Sequence, residues 1–334
     1  VMEHLHGSTA IGGIAVTPDT IWPDAFQNNA LGGNVMTSRV NRNSLVYVGS
    51  SVRAQEESDF LISGDSWFRP VDLQFGPDGA LYVADFYNRI IGHYEVPLAH
   101  PGRDRERGRI WKITFAEPSN RRDVSEELVT LPNSHTANLS PSSLVESFQS
   151  QVHARRMLAA DRLVEDFGER AISAVVPGLQ HESAIVRLHC LWVLARLDAM
   201  TVDQLAAAVH DRDPLVRTHA QRLIGGLSPT EDKPWPKYLA IGLADAEPTV
   251  CRAAATASLQ HRNSALVRAL LDCFDRSPPS DVHLRHAIRI ALKHQLLDDL
   301  SLSQAMKDSE PQHVELLASA CLAIPNERAA GFIV

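Results

Sequence analysis

Few residues in this chain are spaced for chemistry, and they fall into two stretches. Near the start, His4 and His6 flank one residue, with Glu3 beside them. On a strand, alternate side chains share a face, so both imidazoles would point the same way. Such a pair is a partial metal site awaiting ligands from elsewhere, or a general base for alcohol oxidation. A solvent-facing pair is the plainer account, and no metal-ligand set is assigned. Farther on, His93 and His100 sit in a loop over 92–108 that is dense in charge, with Arg103, Asp104, Arg105, Glu106 and Arg107 in succession. Loops on rigid scaffolds carry function, so anion binding or domain docking is weighed against a simply solvated charge run. Asp85 ends a strand, where a carboxylate that receives main-chain N–H groups would hold the following turn.

The second stretch lies in the C-terminal half. His189, His219 and His286 recur at the same or adjacent phases of a repeat. They invite a metal reading, but a repeat position that tolerates His explains them equally well. Trp192 is expected in a core. Trp235, between Pro234 and Pro236, is expected in a loop, where an exposed indole would serve as a partner anchor. Cys190, Cys251, Cys273 and Cys321 are widely separated, which predicts buried core thiols. No CxxC or CxxCH occurs, so a zinc ribbon and covalent haem attachment are excluded within this sequence. Nucleophile-elbow, GxGxxG, Walker A and HExxH motifs are also absent.

Composition narrows the classes further. With 32 Lys and Arg against 40 Asp and Glu, the net charge of the 334 residues is −8. That argues against a nucleic-acid partner, whose footprint is a basic domain. No apolar run reaches the roughly 18 residues of a membrane span. The chain begins at Val1 in what reads as mid-domain sequence, so it is expected to be an internal piece of a longer protein.

Two kinds of element must position these residues. Over 1–117, short strands are predicted at Ile11–Val16, Gly33–Arg39, Ser44–Gly49, Val71–Phe75, Leu81–Asp85 and Arg109–Phe115, each bounded by turn residues. The clearest unit is a hairpin turning at Gly76-Pro-Asp-Gly79, where Pro77 presets φ and Gly79 supplies the permissive position. Hairpins of this kind build propeller blades, and these strands make one and a half to two of them. A closed propeller needs at least four. Residues 118–143, rich in Pro, Ser and Asn, read as a linker with room for a short helix near Val124–Leu131.

From about Leu144 to Val334 the pattern is helical and repeats. Val186-Arg-Leu-His-Cys190, Val216-Arg-Thr-His-Ala220, Val250-Cys-Arg-Ala-Ala254 and Leu284-Arg-His-Ala287 align, with a weaker copy at Arg156-Met-Leu-Ala159. The aligned positions 156, 187, 217, 251 and 285 lie 31, 30, 34 and 34 residues apart, the period of a helical solenoid. Pro214 and Pro248 follow acidic residues at the predicted helix starts. The copies resemble HEAT repeats. The aligned Arg is expected to bridge neighbouring repeats through Asp, with the ladder interrupted at Cys251. The fold class is therefore β plus α: a partial β-propeller followed by a HEAT-like α-solenoid.

The stretch Ser66 to His93, through Trp67-Phe68-Arg69 and the Gly76–Gly79 turn, together with Pro101-Gly-Arg-Asp-Arg-Glu-Arg-Gly-Arg-Ile-Trp-Lys-Ile113, resembles the propeller end of the PVC-type membrane-bound dehydrogenase family. The propeller of that family is similar to glucose/sorbosone dehydrogenases. A HEAT-like region and then a CxxCH haem domain follow it. The resemblance implies a piece of a periplasmic or secreted quinoprotein-like sugar or alcohol dehydrogenase, with pyrroloquinoline quinone and calcium as cofactors of the parent and a haem domain as partner. It also implies cofactor contact for Arg69, since a guanidinium pairs bidentately with carboxylates, and more loosely for Arg39 and Arg42. Trp67 stands where the related proteins carry a second Arg. The alternative for Arg69 is a brace pairing with Asp72 or Asp85. The alternatives for the whole are a non-catalytic scaffold docking another protein on the solenoid, or an inactive propeller that binds polysaccharide or protein. The isolated chain is expected to lack dehydrogenase activity.

Overall fold

The structure, a computed structural model, describes residues 10–17, 22–91, 96–115, 140–230, 233–308, 310–325 and 327–333. His4, His6, Glu3, His93, the Val124–Leu131 helix and most of the 118–143 linker lie outside the described residues. The chain divides into two compact units, one of Val1–Val46 with Arg53–Ala174 and the other of Tyr47–Val52 with Val175–Val334.

The first unit holds two antiparallel sheets. One is ordered β1 (Ile11–Val16), β2 (Asn29–Asn34), β3 (Arg39–Val48) and β4 (Ser51–Glu56), with the short β5 (Leu61–Ile62) also on β3. The other is β6 (Pro70–Phe75), β7 (Leu81–Asp85) and β8 (Arg109–Ile113). Neither sheet closes into a ring among the described residues. The β6–β7 hairpin forms as its turn chemistry requires: Gly79 has φ +74° and its N–H donates to the Gly76 carbonyl at 2.9 Å. Trp22, Leu31, Val40, Phe68, Leu73, Leu81 and Val83 make the shared core. The sheets approach closely because β1 and β2 offer glycine there. A Cβ at Gly12 would lie 2.6 Å from the Val71 carbonyl oxygen, and one at Gly33 2.5 Å from that of Pro70.

Two strand expectations change. Gly33–Arg39 is not one strand, because the chain turns over Val35–Ser38 between β2 and β3. The Asn34 carboxamide forces the turn by accepting from the Thr37 N–H at 3.2 Å while donating to Asn41 at 3.0 Å. Ser38 takes φ +57° there. β4 and β5, which lack strong alternation, were not anticipated. Helices α1 (Pro141–Glu146) and α2 (His153–Arg162) also fall in this unit's sequence range, and α3 (Ile172–Val175) spans its end.

The second unit stacks helices in two layers. One layer runs α4 (Ala184–Arg196), α6 (Pro214–Gly226), α8 (Pro248–Ala257), α10 (Val282–Leu296) and α12 (Val314–Cys321). The other runs α5 (Val202–Val209), α7 (Trp235–Leu243) and α9 (Ala265–Arg276), with α11 (Asp299–Asp308) and α13 (Glu327–Ile333) beyond. Of this layer, α4, α6, α8 and α10 each carry one copy of the aligned motif, and the weaker copy lies on α2. Start signals act as the sequence suggests: Asp213 accepts from the Leu215 N–H with Pro214 at the first helical position, and Thr201 forms a capping box with Gln204. A continuous core runs from Leu188 to Ala329, as stacking of repeats demands. No helix among the described residues is long and apolar enough to cross a membrane.

Candidate functional site

Arg69 enters β6 and is 8% exposed. Its Nε donates to the Asn88 carbonyl at 2.7 Å, and its two terminal nitrogens donate to the carbonyls of Val35 at 2.8 Å and Arg89 at 3.0 Å, with Ser38 Oγ at 3.2 Å. The guanidinium thus clamps the β2–β3 turn to the segment after β7. Burial pulls its pKa below the ordinary Arg value, and the nearby Asp85 charge offsets part of this. Neither Asp72 nor Asp85 accepts from the guanidinium. Asp85 instead accepts from the Arg69 N–H at 2.8 Å, the Tyr87 N–H at 2.9 Å and the Trp111 indole at 3.1 Å, which holds the turn as anticipated. With its donors turned onto main-chain oxygens, Arg69 offers no fork to a quinone carboxylate, and the residues present do not fit that cofactor here.

Arg39 pairs with Asp59 at 2.7 Å on the surface. Arg42 donates to the carbonyls of Ala25 at 2.9 Å and Ser58 at 3.2 Å, and lies over the Phe26 ring. Neither converges with Arg69. Trp67 stacks on Tyr87, ring centroids 5.4 Å apart, and Arg109 caps the same tyrosine at 3.6 Å. The charged loop is tied internally. His100 Nδ1 accepts from the Gly102 N–H at 3.0 Å. Asp104 accepts from the N–H groups of Glu106 and Arg107, which hold its carboxyl below the usual range, and pairs with the Arg107 guanidinium at 2.7 Å.

In the helical unit two rungs of the expected ladder are present, at Arg187 and Arg217, whereas Arg285 donates to the carbonyls of Phe274 and Ser277. Arg187 donates to Asp211 at 2.6 and 2.7 Å, and Arg217 to Asp245 at 2.7 and 2.9 Å. Each Arg also donates back to carbonyls of its own preceding loop. Burial would raise both carboxyls, but the guanidinium and main-chain hydrogen bonds outweigh it and hold them below the usual range. The third rung lacks both partners. Cys251 replaces Arg, and 28 residues on, the offset from Arg217 to Asp245, stands Pro279. Cys251 Sγ turns to the Asp245 carbonyl at 3.1 Å instead.

The repeated histidines do not form a metal site. Among the described residues no group of three or more His, Cys, Asp or Glu is placed to hold one. Trp192 is half-buried, and its indole N–H donates to His219 Nδ1 at 2.9 Å. Burial, and then the Arg222 charge, pull His219 down to about 4. Trp235 is not an exposed anchor: it is the first residue of α7 and is 6% exposed, because its flanking prolines start a helix rather than hold a loop. All four cysteines are buried and free, and burial pushes Cys190 up to about 12.

What was missed is an open groove of about 630 Å³ between α10 and α12. Phe274, Arg285, Arg289, Lys293, Leu316 and Ser319 line it. Arg285 lies 3.6 Å over Phe274, and Arg289 5.3 Å from it. The spacing 285, 289, 293 was legible as one helix face, but the facing α12 was not.

A family described as a domain of unknown function (DUF7133) matches residues 1–117. No curated protein matches the chain. Among solved structures, the complex of CpcE and CpcF of phycocyanin lyase from Nostoc sp. PCC7120 is similar at 17% identity and a TM-score of 0.36, covering 61% of this chain and 90% of that one.

Proposed function

We propose that the chain is a protein-interaction scaffold whose helical unit docks another protein. The observation that carries this is the α10–α12 groove, which is open, mixes apolar and charged lining, and is filled by no side chain among the described residues of its unit. Partner sites concentrate on such concave surfaces of helical solenoids. In the β unit Arg69 and Arg42 donate to main-chain carbonyls, which sets the dehydrogenase reading second. A peptide-display selection against the whole chain tests the proposal, with Ser319→Trp as the groove-filling comparison. Selected peptides are expected to bind the native chain at least about tenfold more tightly than the variant. Enrichment of none, or equal binding to both, would overturn the proposal.

A further inference from the structure

Charge is sorted between the helices of the second unit. The four helices α4, α6, α8 and α10 carry no Asp or Glu, yet hold two cations in α4, two in α6, one in α8 and three in α10. At the chain's own frequency of 40 acidic residues in 334, these helices would carry about six. Arg187 and Arg217 form the ladder, Arg285 serves its own loop, and Arg196 has interactions of its own. Arg222, Arg252, Arg289 and Lys293 remain, solvent-accessible and without an ion pair among the described residues.

Arg222, Arg252 and Lys293 lie on one face, and Arg289 borders it. The repeat places Trp192, Arg222, Thr256 and Ile290 at one equivalent position, and Leu188, Thr218, Arg252 and His286 one turn earlier. Arg289 and Lys293 lie within a turn of Ile290 on α10. A second observation points outward from the same face. Because the Trp192 indole can only donate, His219 Nδ1 must accept, and the ring proton sits on Nε2. That nitrogen lies 3.3 Å from an Arg222 terminal nitrogen. With Nε2 carrying the proton, His219 gives Arg222 no acceptor, and the guanidinium is left for an anionic group.

We infer that the row α4–α6–α8–α10 binds an acidic protein segment, with carboxylates meeting Arg222, Arg252, Arg289 and Lys293; this rests on the scaffold reading above. Packed helices stand about 8–10 Å apart, and a polyproline-type strand advances roughly 9 Å every third residue on one side. The face therefore suits a segment with an acidic residue at every third position and apolar residues between, for Trp192 and Ile290. Nucleic acid fits less well. Its charges are dense, whereas these cations are sparse, apolar residues separate them, and the chain carries −8 overall.

The test uses the whole chain and a fluorescent repeating Glu-Leu-Pro peptide, its Gln-Leu-Pro counterpart, a single-stranded oligonucleotide and vesicles of anionic lipid. The Glu peptide is expected to bind at least about tenfold more tightly than the Gln peptide and to weaken with salt. Combined Arg222→Gln, Arg252→Gln and Arg289→Gln is expected to remove that preference, while Arg268→Gln, on α9 in the other layer, leaves it; circular dichroism checks that each variant folds. Equal binding of the two peptides, an equal loss in Arg268→Gln, or tighter binding of the oligonucleotide or vesicles would overturn the inference. If the display selection yields groove-dependent peptides without acidic residues, this inference falls and the scaffold reading stands. If it yields none, the scaffold reading itself falls.

Discussion

At the scale of single residues, Arg69 shows how a side chain of plausible chemistry is assigned by its acceptors. A guanidinium surrounded by carbonyls and a hydroxyl is a structural tie. Arg69→Met would leave those buried oxygens unpaired, and urea denaturation is expected to register a loss of about 3 kcal/mol in the β unit. Titration of pyrroloquinoline quinone with calcium into the native chain is expected to give no saturable binding. His219 yields a pH prediction. Its folded pKa of about 4 lies below the ordinary 6.5, so on acidification the unfolded chain takes up a proton that the folded chain refuses. Stability from this residue is full above pH 6.5 and declines towards pH 4. His153, also lowered by burial and by Arg156, acts in the same direction. The comparison that isolates His219 is a melting series in which His219→Gln, which still accepts from Trp192, loses less stability over that interval.

At the scale of elements, the ladder separates buried from exposed pairs. The Arg187 and Asp211 side chains are 6% and 12% exposed, whereas Arg268 and Glu310 are 59% and 41% exposed. Arg187→Ala is expected to cost about 2 kcal/mol by stranding the Asp211 charge, and Arg268→Ala little, both read by chemical denaturation. Gly242 makes a second case. A Cβ there would fall 2.4 Å from the buried Gln221 side chain and 2.8 Å from Ala254. Gly242→Ala should therefore destabilise by about 2 kcal/mol despite alanine's higher helix propensity, and a thermal melt would detect it. Much at this scale was legible from the sequence. The aligned Arg positions, Asp213 before Pro214 and the Gly76–Gly79 turn each carry a local rule. The β2–β3 turn was not legible, because it is fixed by the Asn34 carboxamide bridging Thr37 and Asn41 and by Arg69 from another strand. Trp235 misled because Pro on both sides signals a loop as readily as a helix start.

At the scale of the whole chain, the net charge of −8 and the pI near 6.0 conceal a division of charge among helices. Turbidity is expected to peak near pH 6, where net charge vanishes and solubility falls. The candidate docking face was only half legible. Its cations are plain in the sequence, but Arg187 and Arg217 look identical to Arg222 and Arg252 until partners are known. Only three-dimensional pairing distinguishes a cation occupied by its neighbour from one left for another molecule.

The missing third rung gives the helical stack a mechanical grain. Two successive seams are fastened by doubly bonded Arg–Asp clips. At the next, Cys251 and Pro279 stand in place of the charged pair, and the nearby Arg276 donates to the Leu243 carbonyl at 2.6 Å. A coil is as stiff as its softest turn. Under tension along its axis, this one would lengthen and change pitch first from α8 onward, where Arg285 too serves its own loop and no further clip of this kind follows among the described residues, so its compliance is gathered towards one end rather than spread along its length.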